Sequence, residues 1–229
     1  QVLKHAVLLE ALKRNPIVEG QISLPKKPDA ADALAPRISK TIIREIIENG
    51  ARHALTIEFA AWTGLRAGEQ IALTWDDIDF DRSLVTVRRA RKKCGAIGAA
   101  KTKAGQRSVP LLPELLFKLR TWKLSQPIEQ RVNNLVFPTT TGPMDNVDNW
   151  RKRGLHKACD RAGVERITWH SLRHFFASIL LYDLREADAT VTTLMGHKWI
   201  DFTRSQYGHW MEDADRDTDL AERLARARG

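Results

Sequence analysis

Within residues 79–112 the apolar spacing of this chain is that of strands, and on either side of that stretch it is that of helices. Alternation around Leu84, Val85 and Val87, and again around Val109, fits half-buried strands. Before it, Ile42, Ile43, Ile46 and Ile47 share one helical face. After it come two further stripes, Leu115, Leu116, Leu119 and Trp122, then Leu172, Phe175, Phe176, Ile179 and Leu180. With no internal repeat, this order predicts a mainly α fold with a small antiparallel β-sheet in its first half, an α+β class.

Punctuation residues divide the chain. Residues 1–13 read as the end of a helix stopped by Asn15-Pro16, because the residue before proline is pushed out of helical geometry. Residues 19–37 hold three prolines and no apolar period, which predicts a linker. A domain then runs over 38–229. Ser39 is placed to cap its first helix, Gly50 to end it, and further helices are expected over 53–62, 114–122 and 146–161. The connection CGAIGAAKTKAGQ is rich in Gly and Ala and is expected to be mobile. Residues 212–228 read as an amphipathic tail helix, acidic in its first half and arginine-rich in its second.

Charge points to a polyanion. The 229 residues carry 37 Lys and Arg against 28 Asp and Glu, a formal charge of +9, and nucleic acid heads the list of partners for such a chain. Nine of the cations, Arg82, Arg88, Arg89, Arg91, Lys92, Lys93, Lys101, Lys103 and Arg107, fall in one stretch without an Asp or Glu. That stretch is expected to contact DNA phosphates. Cys94 and Cys159 have neither disulfide-framework nor zinc-knuckle spacing, which fits a reducing cytosol, and no apolar run or signal pattern indicates a membrane.

Three segments carry chemistry. In TGLRAGE a glycine turn presents Arg66 at a helix start, where a fixed guanidinium suits a phosphate; Glu69 either orients Arg66 or caps the helix. In WHSLRHFFAS, His170 and Arg173 stand at i and i+3 and can face one cleft. His170 and His174 have zinc-pair spacing, but Ser171 stands where a metalloprotease motif has Glu and no third ligand is evident, so His174 is read as structural and no metal or cofactor is expected. In LMGHKWIDFTRSQYGH, His197 is followed ten residues later by Tyr207.

Together these segments resemble the catalytic boxes of the tyrosine recombinase (phage integrase) family, in the family's order, over about residues 37–210. The resemblance implies that Tyr207 is the nucleophile of a 3′-phosphotyrosyl intermediate and that Arg66 and Arg173 clamp the scissile phosphate. It further implies that His197 hydrogen-bonds that phosphate, that His170 assists proton transfer or positioning, and that a hairpin lysine protonates the leaving 5′ oxygen. Lys103 precedes the expected Ala104-Gly105 turn and is the choice for that lysine, with Lys101 the rival. Residues 1–18 then become the last helix of a core-DNA-binding domain. The implied function is site-specific recombination or integration of a phage or mobile element, by a cytoplasmic, nucleoid-associated homo-oligomer, a tetramer on double-stranded DNA, with accessory DNA-bending proteins. Type IB topoisomerase-like relaxation and a non-catalytic DNA-binding module are the alternatives.

Overall fold

A computed structural model describes residues 38–92, 95–99, 106–131, 133–140 and 144–196. The expected N-terminal helix, the linker up to residue 37 and the tail helix lie outside the described residues.

Ser39 does start the first helix: its Oγ accepts from the Ile42 N–H at 3.2 Å, and α1 (Lys40–Glu48) buries Ile43 and Ile46. A 3₁₀ turn (Ala51–His53) leads into α2 (Ala54–Thr63), which is buried on most of its circumference, at Thr56, Ile57, Phe59, Ala60, Ala61 and Thr63. A helix apolar all round belongs in the centre of a fold, and α2 packs against α1 on one side and against α4 (Pro113–Ser125) and α7 (Trp169–Ser178) on others. It ends at Gly64 in the left-handed region, φ 61°, where a side chain would also run into the Phe176 ring. The sharp turn so made leads directly into α3 (Ala67–Ile71).

The sheet is antiparallel, in the order β1 (Ile78–Asp79), β2 (Leu84–Val87), β5 (Arg107–Pro110). Val85 pairs with Val109 on the core side, while Thr86 and Ser108 pair on the outer face and share a 3.0 Å hydrogen bond. A second ribbon, β3 (Arg89–Arg91) with β4 (Ile97–Ala99), is separate. The segment expected to be a mobile connection therefore supplies a strand. Its Gly and Ala content hid pairing that needs only backbone groups. The ribbon lies close against α3, because a side chain at Gly68 would meet the Arg91 carbonyl oxygen at 2.5 Å.

One helix expected over 146–161 is present but interrupted. It runs as α5 (Val147–Asn149), a π-helical stretch (Trp150–Leu155) and α6 (His156–Ala162). The π stretch brings Gly154 against His53, whose Cγ lies 2.9 Å from where a β-carbon would stand. A second π stretch (Ile179–Asp183) follows α7, and α8 (Asp188–Met195) ends at Gly196, again left-handed, φ 61°. Aromatic pairs link the core: Phe59 to Phe137 at 5.2 Å and Phe137 to Trp150 at 6.1 Å, both edge to face, and Trp150 to Trp169 at 5.0 Å with the rings tilted. Such pairs contribute roughly 0.5–1.5 kcal/mol each beyond area burial, and this series ends beside His170, fixing the start of α7. Among the described residues no helix is long and apolar enough to cross a membrane.

Candidate active site

Three elements meet at one point: the turn between α2 and α3, the first half of α7, and the C-terminal end of α8. Arg66 is the N-cap residue of α3, as the TGLR turn predicts, and its side chain is 43% exposed. Its Nη2 donates to the Gly196 carbonyl at 3.0 Å. Arg173, on α7, is among the most completely buried large side chains, 2% exposed. It donates from Nη1 to the Gly64 carbonyl and from Nη2 to the Met195 carbonyl. In this structure two nitrogens of the guanidinium expected to clamp a phosphate thus hold the protein's own backbone.

Arg107 completes the set. Its Nε donates to the Leu194 carbonyl at 2.6 Å. The carbonyls of residues 194, 195 and 196 accordingly accept from Arg107, Arg173 and Arg66, which come from three different elements. The last carbonyls of a helix lack intrahelical partners and carry the negative end of its dipole, so guanidinium groups suit them on both counts. Position 197 follows immediately in the chain. His197 itself, with Tyr207, Lys93, Lys101 and Lys103, lies outside the described residues.

Glu69 joins two of these arginines. Its Oε2 accepts from the Arg66 backbone N–H at 2.9 Å and from Arg107 Nη2 at 2.8 Å, while its Oε1 accepts from Arg66 Nη1 at 2.8 Å and from Arg107 Nη1 at 3.2 Å. The sequence left Glu69 as either a cap or an orienting group for Arg66, and the two oxygens do both. Burial pushes its carboxyl up, but the hydrogen bond and charge of Arg107, with Arg66 adding, hold it below its ordinary value. Arg107 itself is 2% exposed. Read from the sequence as a DNA-facing cation, it is instead enclosed, because a buried carboxylate needs a paired charge. Charge counting along a strand does not register that alternate residues face inward.

Two more arginines of the basic stretch are also held by the protein itself. Asp77, buried on the 3₁₀ turn Trp75–Asp77, accepts from Arg88 at 3.2 Å and from Arg89 at 2.6 Å. Arg89 further donates to the Ala72 carbonyl and the Thr74 hydroxyl. Arg91, on β3, is half-buried, Arg88 and Lys92 on either side of that strand are exposed, and β3 packs on α3, the helix that Arg66 starts.

His170 keeps solvent contact near the start of α7 and meets His174 edge to face, with ring centres 4.4 Å apart. Partial burial, then the Arg173 and Arg66 guanidinium groups, hold His170 below its ordinary pKa, which puts all three residues in one field. His174 is driven to about 4, first by burial and then by His170 and Arg173.

A pH dependence of stability follows. His174 stays neutral in the fold down to about 4, whereas its ordinary value is 6.5, so between those values the unfolded chain binds more protons. Stability is expected to increase with pH across that window and to level off above it. His53, His156 and His170 are shifted in the same direction and add to the slope. Urea melts across the window check this. The slope should flatten in His174→Gln, and a slope of opposite sign would contradict the assignment.

Comparison with known proteins agrees with this framework. The model of the phage integrase family matches residues 34–213. The chain is 29% identical over 198 residues to the prophage integrase IntR of Escherichia coli K12, covering 77% of this chain and 48% of that protein. It is 30% identical over 223 residues to a tyrosine recombinase XerC-like protein of Caldanaerobacter subterraneus subsp. tengcongensis, covering 86% and 56%. The chain thus spans about half the length of these relatives. Its fold is similar to that of the Tn1549 transposon integrase in complex with a circular intermediate DNA, with TM-score 0.72 at 19% identity over 96% of this chain and 75% of that one. The XerA recombinase is similar with TM-score 0.64 at 21% identity, over 90% and 67%. A family match over so much of the chain, ending beyond Tyr207, means that the protein belongs to the phage integrase family of tyrosine recombinases.

Proposed function

We propose that this chain is the catalytic part of a site-specific recombinase or integrase that cleaves and rejoins DNA through a 3′-phosphotyrosyl intermediate. The observation that carries the reading is the convergence of Arg66 and Arg173 on the carbonyls at the end of α8, one residue before His197, with His170 three residues before Arg173 on α7. Tyr207 Oη attacks the scissile phosphorus, the bond to the 5′ oxygen breaks, and Lys103 supplies the proton that this oxygen takes. Arg66, the exposed guanidinium, meets the non-bridging oxygens, and Arg173 adds positive charge from behind it. His170, held below its ordinary pKa, is neutral near neutral pH and can take the tyrosine proton. His197 donates to the same phosphate. Religation runs the sequence backwards. With charge neutralised by arginine and the proton supplied by lysine, the step requires no metal.

Arg88, Arg91 and Lys92, with Lys93 and Lys101, track the DNA backbone. The enzyme works in the cytoplasm as a tetramer on double-stranded DNA, with accessory DNA-bending proteins. The similarity to the Tn1549 integrase, whose structure is of a complex with a circular intermediate DNA, supports this partner. The test uses a nicked duplex that traps covalent complexes, with chelator present. An adduct is expected, followed on paired sites by four-strand junctions. Adduct without junctions marks a topoisomerase-like enzyme, and DNA binding without adduct marks a non-catalytic module.

A further inference from the structure

Arg107 sits on β5 with its guanidinium enclosed, donating at once to both oxygens of Glu69 and to the Leu194 carbonyl. Glu69 in turn holds Arg66 by its backbone N–H and its Nη1. Removing Arg107 leaves a buried carboxylate with one arginine where it had two, and frees the last turn of α8 from the sheet. We infer that Arg107 is a positioning residue for the phosphate site: one buried guanidinium sets both the direction of Arg66 and the place of the last turn of α8, after which His197 follows in the chain. The inference rests on the recombinase reading given above and adds to it a residue that touches no DNA.

A phosphate-contacting role and a positioning role make opposite demands. If Arg107 met a phosphate, Arg107→Met would weaken DNA binding and lower the salt dependence of affinity by about one unit of slope. As a positioning residue it leaves affinity and slope near wild type, while single-turnover cleavage of the nicked duplex falls about 100-fold, the size of effect a misplaced reacting group produces. Because part of its effect passes through Arg66, the losses of Arg66→Ala and Arg107→Met combine to less than their sum in the double variant. Arg107→Lys keeps the charge without the fork and falls between wild type and Arg107→Met. It carries the test if the Met variant does not fold.

Hydrogen exchange at the Arg66 amide, which is bonded to Glu69, gives a readout that does not need catalysis. It accelerates in Arg107→Met whether or not the chain cleaves DNA, so a wild-type protein that forms no adduct would overturn the recombinase reading and leave this one standing on the exchange result. Unchanged exchange at Arg66, additive losses in the double variant, or lost affinity with a shallower salt slope each overturn the positioning role.

Discussion

Tyr207→Phe is expected to abolish the covalent protein–DNA adduct, lowering cleavage by at least about 10⁴-fold, as removal of a nucleophile does in enzymes whose catalytic groups act as a unit. The phenyl ring keeps the size of the side chain and loses only the oxygen that attacks phosphorus. Binding rests on backbone contacts by arginine and lysine and should stay within about twofold. Gel-shift affinity together with denaturing electrophoresis of the trapped complex separates the two quantities. The chain has two tyrosines, which makes the experiment decisive. Tyr182 is half-buried in the π-helical stretch Ile179–Asp183 that follows α7, where its backbone is part of the helical scaffold. Tyr182→Phe should therefore form adduct like the wild type. An adduct that persists in Tyr207→Phe and disappears in Tyr182→Phe would overturn the assignment of the nucleophile.

How much of this was legible in the sequence depends on the range of the interaction. Local features came through. Ser39 caps α1, and Gly64 turns the chain so that Arg66 stands at a helix start. Val85 and Val109 lie on the inner face of the sheet. His170 and Arg173, three residues apart on α7, act in one field as their spacing requires. Each of these follows from φ preference or from side-chain period within a few residues. The π stretches did not come through, because inserting one residue per turn leaves composition unchanged and only blurs the apolar period.

The direction of Arg107 was also hidden, for a different reason. Its partners are Glu69 and the Leu194 carbonyl, 38 and 87 residues away in the chain, and by residue type and charge it looks the same as Arg88, which keeps much of its surface in solvent. The strand period does carry a signal in retrospect: Val109 faces the core, and Arg107, two residues earlier, must share its side of the sheet. A charge on the buried face of a strand predicts a buried partner, and Glu69 was the acidic residue of the first motif. The end of α8 is different again. Backbone carbonyls have no sequence identity, so three arginines meeting three of them leave no trace in residue types.

Arg173→Lys is the second variant for which a large effect is expected, and it separates scaffold from chemistry. The guanidinium reaches the Gly64 and Met195 carbonyls from two different nitrogens, a span that a single ammonium cannot reproduce. One carbonyl is then left buried without its donor, at a cost of about 1–3 kcal/mol, and a more strongly hydrated cation must occupy a position that is 2% exposed. A drop of about 5 °C in melting temperature is expected from the stability loss alone. Cleavage should fall further than stability explains, by about 10²-fold in a variant still folded at the assay temperature, because an ammonium that no longer holds both carbonyls lets the Arg66 turn and the end of α8 shift relative to the phosphate. Arg66→Lys supplies the contrast. Its side chain is 43% exposed and its ion pair with Glu69 is shared with Arg107, so its melting temperature should move much less while cleavage drops comparably. If Arg173→Lys melts like the wild type, the two carbonyl bonds do not hold the α2–α3 turn to the end of α8. If it cleaves like the wild type, Arg173 has no part in the phosphate site.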